Sequence, residues 1–266
     1  MFEKYIESIS NPFIKEAIKL YEKKDREKKG LFLIEGRKEL ALALKYHIQI
    51  QHLFYCSEVM EEEGKRLLSS VPSIQKTRVN TKVFEKIAYR GTTEGLLAIA
   101  LQPSRTLHDL PIEKSFIVIL EKMEKPGNIG AVLRTANAAG VDAVVVCDEV
   151  SDLYNPNVVR TSLGGLFSTI TVQSTTTQTI AWLKEHKFSI IAATPYGSQL
   201  YNQIHPQENI AVVIGSEKDG LSDLWLEQAD YKVVIPMVGE VDSLNASVSA
   251  GILIYQYSKK IGTASV

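Results

Sequence analysis

Short, uninterrupted apolar runs alternate with amphipathic stretches along the second half of the chain. Continuous apolar runs are typical of strands that a parallel sheet buries on both faces, and the stretches between them have helical spacing. The predicted strands are 116–120, 141–147, 169–173, 189–193, 210–214 and 232–236. The predicted helices are 129–139, 156–163, 177–187, 222–228 and 244–260. The pattern predicts an α/β domain with a parallel sheet covered by helices on both sides.

The first hundred residues have the same alternation on a smaller scale. We predict strands at 31–35, 48–56 and 96–101, and helices at 12–29, 37–46, 58–69 and 82–88. Residues 102–114 carry two prolines and mixed charge with little periodicity, which indicates a linker. The predicted organisation is a small α/β domain at 1–101, a linker at 102–114 and a larger domain at 115–266.

Charge is distributed unevenly. Residues 1–110 contain 19 Lys and Arg against 15 Asp and Glu, whereas residues 111–266 contain 11 against 16. A basic first half suggests contact with a polyanion, and the predicted helix 12–29 is rich in lysine and contains Arg26. Chance variation in surface charge, and a solvated helix face, remain the alternatives.

Several classes of protein are disfavoured. Cys56 and Cys147 lie far apart and form no CxxC pair or Cys/His cluster, so we expect neither a disulfide framework nor a metal site. No signal peptide or membrane-length apolar run is present, and we expect a cytoplasmic protein with no membrane partner. G-x-G-x-x-G and Walker loops are absent, which disfavours a small-molecule enzyme with a nucleotide cofactor.

Three polar segments follow predicted strands, and ligands of open α/β sheets bind at that edge. We call residues 124–136 the first motif, 215–221 the second and 235–247 the third. Each has an ordinary structural interpretation: Asn128 and Ser243 as helix N-caps, Glu217 as an acid favoured by a helix dipole, Arg134 as a surface arginine. The alternative is a site built from Arg, Asn, Glu and Ser without a histidine or nucleophile pair, which suits the positioning of two substrates for transfer.

The three motifs resemble those of the SpoU/TrmH family of RNA ribose methyltransferases, in the SPOUT superfamily. The matching residues are Asn128-x-Gly130-Ala131-x-x-Arg134-Thr135-Ala136, Gly215-Ser216-Glu217-x-x-Gly220-Leu221, Ile235-Pro236-Met237-x-Gly239 and Ser243-Leu244-Asn245-x-Ser247. Residues 1–101 look like the substrate-binding domain often fused ahead of this catalytic domain. The departures are small: Glu121 and Glu124 stand where an aspartate is frequent, and Ala246 where valine is common.

The resemblance implies 2′-O-methylation of structured RNA by S-adenosylmethionine, a C-terminal trefoil knot and a homodimer. It implies catalytic roles for Asn128, Arg134, Glu217, Ser243 and Asn245, and cofactor contacts from Thr194, Gly215, Ile235 and Leu244. We expect Lys23, Lys24, Arg37 and Arg160 to contact RNA.

Several alternatives remain open at this point. The preferred substrate is 23S ribosomal RNA, and transfer RNA, methylation of a base atom, or an inactive RNA-binding protein are the alternatives. The family proposal makes Arg134 a general base, whereas a guanidinium that stays protonated favours a phosphate clamp.

Overall fold

The computed structural model describes residues 4–89 and 94–258. The chain divides into two compact units. The first contains the described residues up to Pro103 together with Tyr154–Phe167, and the second contains Ser104–Leu153 and the described residues from Ser168 onward. The sequence assigns 154–167 to the larger domain, whereas here this segment packs within the first unit. Its two aromatic ends pack against Phe32, with ring centroids 4.8 Å apart for Tyr154 and 6.2 Å for Phe167.

The first unit contains a five-stranded mixed sheet in the order β1-β4-β3-β5-β2. Its strands are β1 Lys4–Ile6, β2 Leu31–Glu35, β3 Ile50–Tyr55, β4 Lys76–Val79 and β5 Leu96–Leu101. Its helices are α1 Pro12–Lys19, α2 Lys23–Lys29, α3 Arg37–Lys45, α4 Glu62–Ser70 and α5 Thr81–Ile87. Strand β5 runs antiparallel to both β2 and β3, while β1, β4 and β3 are parallel.

The single helix predicted at 12–29 is wrong, because the chain breaks between α1 and α2. Arg26 is 1% exposed and donates from Nη1 to the carbonyl oxygen of Leu20 at 2.7 Å, at the end of α1. The guanidinium therefore supplies a hydrogen bond to a backbone carbonyl group at the buried end of α1. Arg26 is not part of a basic surface, and the other basic residues of α2 remain at least partly exposed.

The second unit is built on seven parallel strands in the order β10-β12-β9-β11-β6-β7-β8. The strands are β6 Phe116–Glu121, β7 Ala143–Cys147, β8 Ile170–Ser174, β9 Ser189–Ala193, β10 Gln199–Leu200, β11 Ile210–Ile214 and β12 Tyr231–Val234. The remaining helices along the chain are α6 Pro126–Ala138, α7 Pro156–Thr161, α8 Gly165–Ser168, α9 Thr176–Glu185, α10 Asp223–Gln228 and α11 Ala246–Tyr257, with a 3₁₀ turn at Leu107–Asp109.

The predicted parallel α/β sheet is thus confirmed. All residues of β6, β7 and β11 are buried, which is why these strands read as continuous apolar runs. Across the two described stretches of chain, no helix is both long enough and apolar enough to cross a bilayer.

Candidate functional site

Three side chains, one from each motif, form a hydrogen-bonded cluster. Glu217 accepts at Oε1 from Asn128 Nδ2, at 2.8 Å, and from Asn245 Nδ2. Asn245 Nδ2 also lies 3.3 Å from Asn128 Oδ1. Residues 117 positions apart in the chain therefore meet at one point. We call these three residues the Asn-Glu-Asn cluster.

Asn128 does not cap helix α6, so that sequence interpretation is wrong. The helix begins at Pro126, with Lys125 at the N-cap position, and Asn128 lies within the first turn. Its side chain is directed to Glu217 instead. The proline was the available signal, because proline is favoured at the first helical position.

Lys125 neutralises the negative charge of Glu217 in the cluster. Its ammonium group pairs with Oε2 of Glu217, while Oε1 accepts from the two amides. The hydrogen bond from Lys125, followed by that from Asn128, lowers the pKa of Glu217 below its ordinary value. Glu217 is therefore ionised at neutral pH. Sequence reasoning did not single out Lys125, since nothing local distinguishes it from other surface lysines.

The loop that carries Glu217 is a tight turn. Ser216 and Gly220 exchange backbone hydrogen bonds of 3.2 and 3.1 Å, and Asp219 donates its N–H to the Ser216 hydroxyl at 3.0 Å. A Cβ at Gly215 would lie 2.2 Å from the backbone of Gly220, so the turn itself requires glycine there. Helix α10 begins only at Asp223, so Glu217 does not lie in its first turn. The Glu217 carboxylate is instead bonded by side chains and by the backbone of Ala246, the first residue of α11.

Glu121 anchors the end of this turn. It is 1% exposed at the end of β6. Its carboxylate accepts from the Ser222 backbone N–H at 2.8 Å, from the Ser222 hydroxyl at 2.6 Å and from the Thr176 hydroxyl at 3.2 Å. The sequence identified Glu121 only as a departure from a frequent aspartate, whereas the structure shows that its buried carboxyl group is satisfied by three hydrogen bonds.

Asn245 has two roles at the start of α11. Its Oδ1 accepts from the Ser247 N–H at 3.0 Å and the Ser247 hydroxyl at 2.6 Å, which makes it the N-cap, while its Nδ2 bonds Glu217. The prediction of Ser243 as the cap is therefore wrong. Ser243 is exposed and forms no hydrogen bond within the described part of the chain.

Arg134 lies outside the Asn-Glu-Asn cluster. It is exposed on α6, six residues after Asn128, which corresponds to about 9 Å along the helix and about 120° around it. Among residues 4–89 and 94–258, none forms a hydrogen bond or ion pair with it. Its guanidinium is thus free to meet a ligand.

The residues predicted to contact the cofactor gather largely at one sheet edge. The first residues after β9, β11 and β12 are Thr194, Gly215 and Ile235, and these three strands are neighbours in the sheet. Thr194 donates its N–H to the carbonyl of Val233 at 3.0 Å. Leu244 lies in the segment before α11, and Ile235 and Leu244 are both half-buried.

The predicted RNA-contacting residues all lie in the first unit. Lys23 and Lys24 are in the first turn of α2, and Lys23 lies 3.6 Å from Glu27. Arg37 begins α3, and Arg160 on α7 donates to Asn157 Oδ1 at 2.8 Å. The Nε atoms of Arg37 and Arg160 are buried without a partner among the described residues.

Comparison with known proteins covers both units. Residues 115–255 match the SpoU rRNA Methylase family, and residues 11–98 match the MRM3-like substrate binding domain. The 23S rRNA (guanosine(2553)-2′-O)-methyltransferase RlmP of Bacillus subtilis is 29% identical over 95% of this chain and 98% of its own.

Solved structures agree with this assignment. A crystal structure of an RNA 2′-O ribose methyltransferase is 38% identical, covers 95% of this chain and 97% of its own, and superposes with a TM-score of 0.83. An AdoMet-bound rRNA methyltransferase from Sinorhizobium meliloti is 27% identical, covers 95% and 96%, and gives 0.88. The match over 115–255 contains all three motifs and spans more than half of the sequence. The chain therefore belongs to the SpoU rRNA Methylase family.

Proposed function

We propose that the protein methylates a ribose 2′-hydroxyl of structured RNA, with 23S ribosomal RNA as substrate and S-adenosylmethionine as donor. The observation that carries the proposal is the Asn-Glu-Asn cluster, in which the three motifs meet beside the carboxyl edge of the sheet. Similarity along nearly the whole chain to a 23S rRNA 2′-O-methyltransferase supports the same activity here.

The carboxyl edge has the chemistry needed to hold the cofactor. Turns after β9, β11 and β12 present backbone groups at Thr194, Gly215 and Ile235, and Ile235 and Leu244 supply half-buried apolar surface for an adenine ring. S-adenosylmethionine supplies an electrophilic methyl group when bound.

The residues of the chain have separate tasks in this proposal. Arg134 binds the phosphate next to the reacting ribose and stabilises the negative charge that develops on the hydroxyl oxygen as its proton passes to solvent water. We prefer this clamp to a general base, because a guanidinium stays protonated in proteins. Asn128, Asn245 and Ser243 orient the nucleotide, and Glu217 holds both amides in place.

A homodimer is part of the proposal. Helix α11 has an apolar stripe at Val248, Ile252 and Tyr255, spaced i, i+4 and i+7, with Val248 49% and Tyr255 54% exposed. Such a partly exposed stripe fits a self-complementary contact. Because Arg134 lies outside the cluster of its own chain, a second copy close to α6 would supply another positive charge to the site.

The proposed knot has local support in the C-terminal segment. Tyr257 at the end of α11 donates its hydroxyl to the carbonyl of Tyr201 at 2.5 Å, and Ser258 donates to the carbonyl of Ala139 at 2.6 Å. Strand β12 pairs with both β9 and β10. The two hydrogen bonds join the end of α11 to residues that precede and follow β9 in the chain, an arrangement that is compatible with a threaded loop.

The first unit is proposed to bind the RNA. Lys23, Lys24 and Arg37 are its candidate phosphate contacts, and Arg160 is a further candidate RNA contact. Residues 11–98 match a substrate-binding domain. Binding through phosphates weakens as salt rises, so we expect a negative slope of log affinity against log salt.

The test is methyl transfer from labelled S-adenosylmethionine to ribosomal RNA taken from cells that lack the protein. Nuclease digestion and mass spectrometry should place the label on a ribose 2′-oxygen of 23S RNA. A methyl group on a base, or label only in transfer RNA, would replace this substrate assignment. Calorimetry with S-adenosylmethionine separates a true enzyme from an inactive RNA-binding protein, which would bind no cofactor.

A further inference from the structure

The first unit contains a cavity of about 400 Å³ that has no part in the proposed methyl transfer. Its volume is within the range of small-ligand pockets. Tyr21, Tyr89, three glutamates and Arg160 contribute to its lining, and all belong to the first unit.

One wall of the cavity is aromatic. The rings of Tyr21 and Tyr89 stack with centroids 5.8 Å apart and an interplanar angle of 30°. Tyr21 is fixed by a 2.5 Å hydrogen bond from its hydroxyl to the carbonyl of Ile87, whereas Tyr89 is 48% exposed. Leu163, also on the lining, is 49% exposed and has φ of 46°, which a leucine rarely adopts. A flat apolar surface is therefore presented at the rim.

Hydrogen-bond acceptors also gather on the lining of this cavity, at Glu35, Glu39 and Glu94. Glu94 accepts from the Arg37 N–H at 2.6 Å and Glu35 from the Tyr89 N–H at 2.7 Å, which holds both carboxylates in place. Burial raises the pKa of Glu39, and the charges of Glu94 and Glu35 add to this effect. Across the described chain, no three carboxylate, histidine or cysteine groups are arranged to hold a metal ion. Carboxylate oxygens accept hydrogen bonds, so these residues suit a ligand with several N–H donors.

Donors also lie on the same lining. Lys38 and Arg160 both contribute to it, and Arg160 is held by the hydrogen bond from its Nη2 to Asn157 Oδ1 at 2.8 Å. The cavity thus combines a stacking surface, several acceptors and two cationic donors.

We propose that this cavity binds a guanine base of the RNA, and that it selects the substrate. Guanine is the RNA base that presents the O6 and N7 acceptors beside the N1–H and N2–H donors on one flat ring. Unpaired bases in RNA are recognised by stacking on aromatic side chains and by hydrogen bonds to their edges. The inference rests on the proposed function, because it assigns the RNA nucleotide that the first unit recognises.

The first experiment titrates the full-length protein with guanosine 5′-monophosphate and, separately, uridine 5′-monophosphate, using nuclear magnetic resonance. The two probes share ribose and phosphate, so any difference comes from the base. We expect saturable shifts with the guanine nucleotide only, weakened at least fivefold in Tyr89→Leu and in Arg160→Met. Tyr46→Leu, which removes another exposed tyrosine of the same unit, should leave binding unchanged. Equal binding of both nucleotides, or no effect of Tyr89→Leu, would overturn the proposal.

A second measurement uses methylation of ribosomal RNA. Tyr89→Leu should raise KM at least tenfold and leave kcat and S-adenosylmethionine affinity unchanged, and Tyr46→Leu should change neither. An unchanged KM would contradict the guanine site. Absence of S-adenosylmethionine binding in the unmodified protein would instead refute the proposed function, and the nucleotide titration would still decide whether the cavity binds guanine.

Discussion

The Glu121 carboxylate receives both the backbone N–H and the hydroxyl of Ser222, at 2.8 and 2.6 Å. Ser222 is the N-cap residue of α10, yet its own side chain makes no capping bond, because its hydroxyl is directed to Glu121. The buried acid therefore fixes the point at which the turn carrying Glu217 joins a helix. Its role is one of positioning.

Glu121→Asp should impair the enzyme more than Glu121→Gln. The side chain of aspartate is shorter by one carbon–carbon bond, so its carboxylate lies about 1.5 Å farther from Ser222. Glutamine keeps the length, can accept from the Ser222 N–H and can donate to the hydroxyls of Ser222 or Thr176. We expect roughly tenfold weaker S-adenosylmethionine binding in the aspartate variant, equivalent to about 1.4 kcal/mol, and less than about threefold change in the glutamine variant. Isothermal calorimetry measures both. A larger loss in the glutamine variant than in the aspartate variant would contradict this prediction and would indicate that the charge matters rather than the geometry.

Asn245→Ser separates the capping role of Asn245 from its role in the cluster. Serine is as good an N-cap as asparagine, so the free energy of unfolding should change by less than about 0.5 kcal/mol. The amide that bonds Glu217 is lost, so kcat should fall at least tenfold. Asn245→Ala is the control, since it removes both functions and should cost about 1 kcal/mol of stability as well. A serine variant with full activity would remove the cluster from the mechanism.

Arg134 substitutions test the phosphate clamp. Arg134→Ala should reduce kcat by two orders of magnitude or more, a loss of about 2.7 kcal/mol in transition-state stabilisation. Arg134 is exposed and bonded to no described residue, so the unfolding transition should stay unchanged. Lysine cannot form the two parallel bonds of a guanidinium, and Arg134→Lys should remain severely impaired. Substantial activity in the lysine variant, measured by label transfer to RNA, would contradict the clamp.

The parallel sheet was predictable because its strands are buried on both faces, as in the all-buried β6 and β11. Strands β1, β4 and β10 were missed, since each is four residues or shorter and β4, Lys76–Val79, alternates in burial rather than forming an apolar run. The break between α1 and α2 depends on the reach of Arg26 to Leu20, and no local pattern encodes such a contact.

The sequence predicts which residues belong to the cluster but not which hydrogen bonds join them. Each of Asn128, Glu217 and Asn245 has an adequate local explanation as a cap or dipole partner, and only the folded chain shows that they bond one another. Lys125 and Glu121 have partners 92 and 101 positions away, so sequence spacing does not reveal them.

Gly164 and Gly30 provide a matched pair for measuring contact strain in the first unit. Both have positive φ, of 84° and 62°, so alanine at either is strained by about 1–2 kcal/mol. A Cβ at Gly30 meets nothing within 4 Å, whereas one at Gly164 lies 2.3 Å from Leu42 Cδ1 and 3.1 Å from its Cβ. Gly164→Ala should therefore lower the urea midpoint further than Gly30→Ala. Equal shifts would mean that Leu42 moves aside freely.

His52 should make stability depend on pH. Burial, with a smaller effect from Lys4, lowers its pKa from 6.5 to about 4 in the folded protein. The unfolded chain therefore binds more protons between those values, so stability falls as pH drops from about 6.5 to about 4 and then levels off. His52→Gln keeps a hydrogen bond to Thr77 and should flatten this decline in urea unfolding measured from pH 7.5 to 4. An unchanged slope would assign the decline to other groups.

The position of Tyr154–Phe167 within the first unit has a consequence for how the protein is made. Residues 104–153, all of the other unit, leave the ribosome before this segment does. Protein synthesis adds about 5–20 residues per second. The whole segment up to Phe167 is therefore complete only roughly 3 to 13 seconds after Pro103 is added, and Tyr154 and Phe167 pack on Phe32 of strand β2. Until then the side of Phe32 that they cover lacks its packing partners, and a chaperone that binds nascent apolar surface would find its target there.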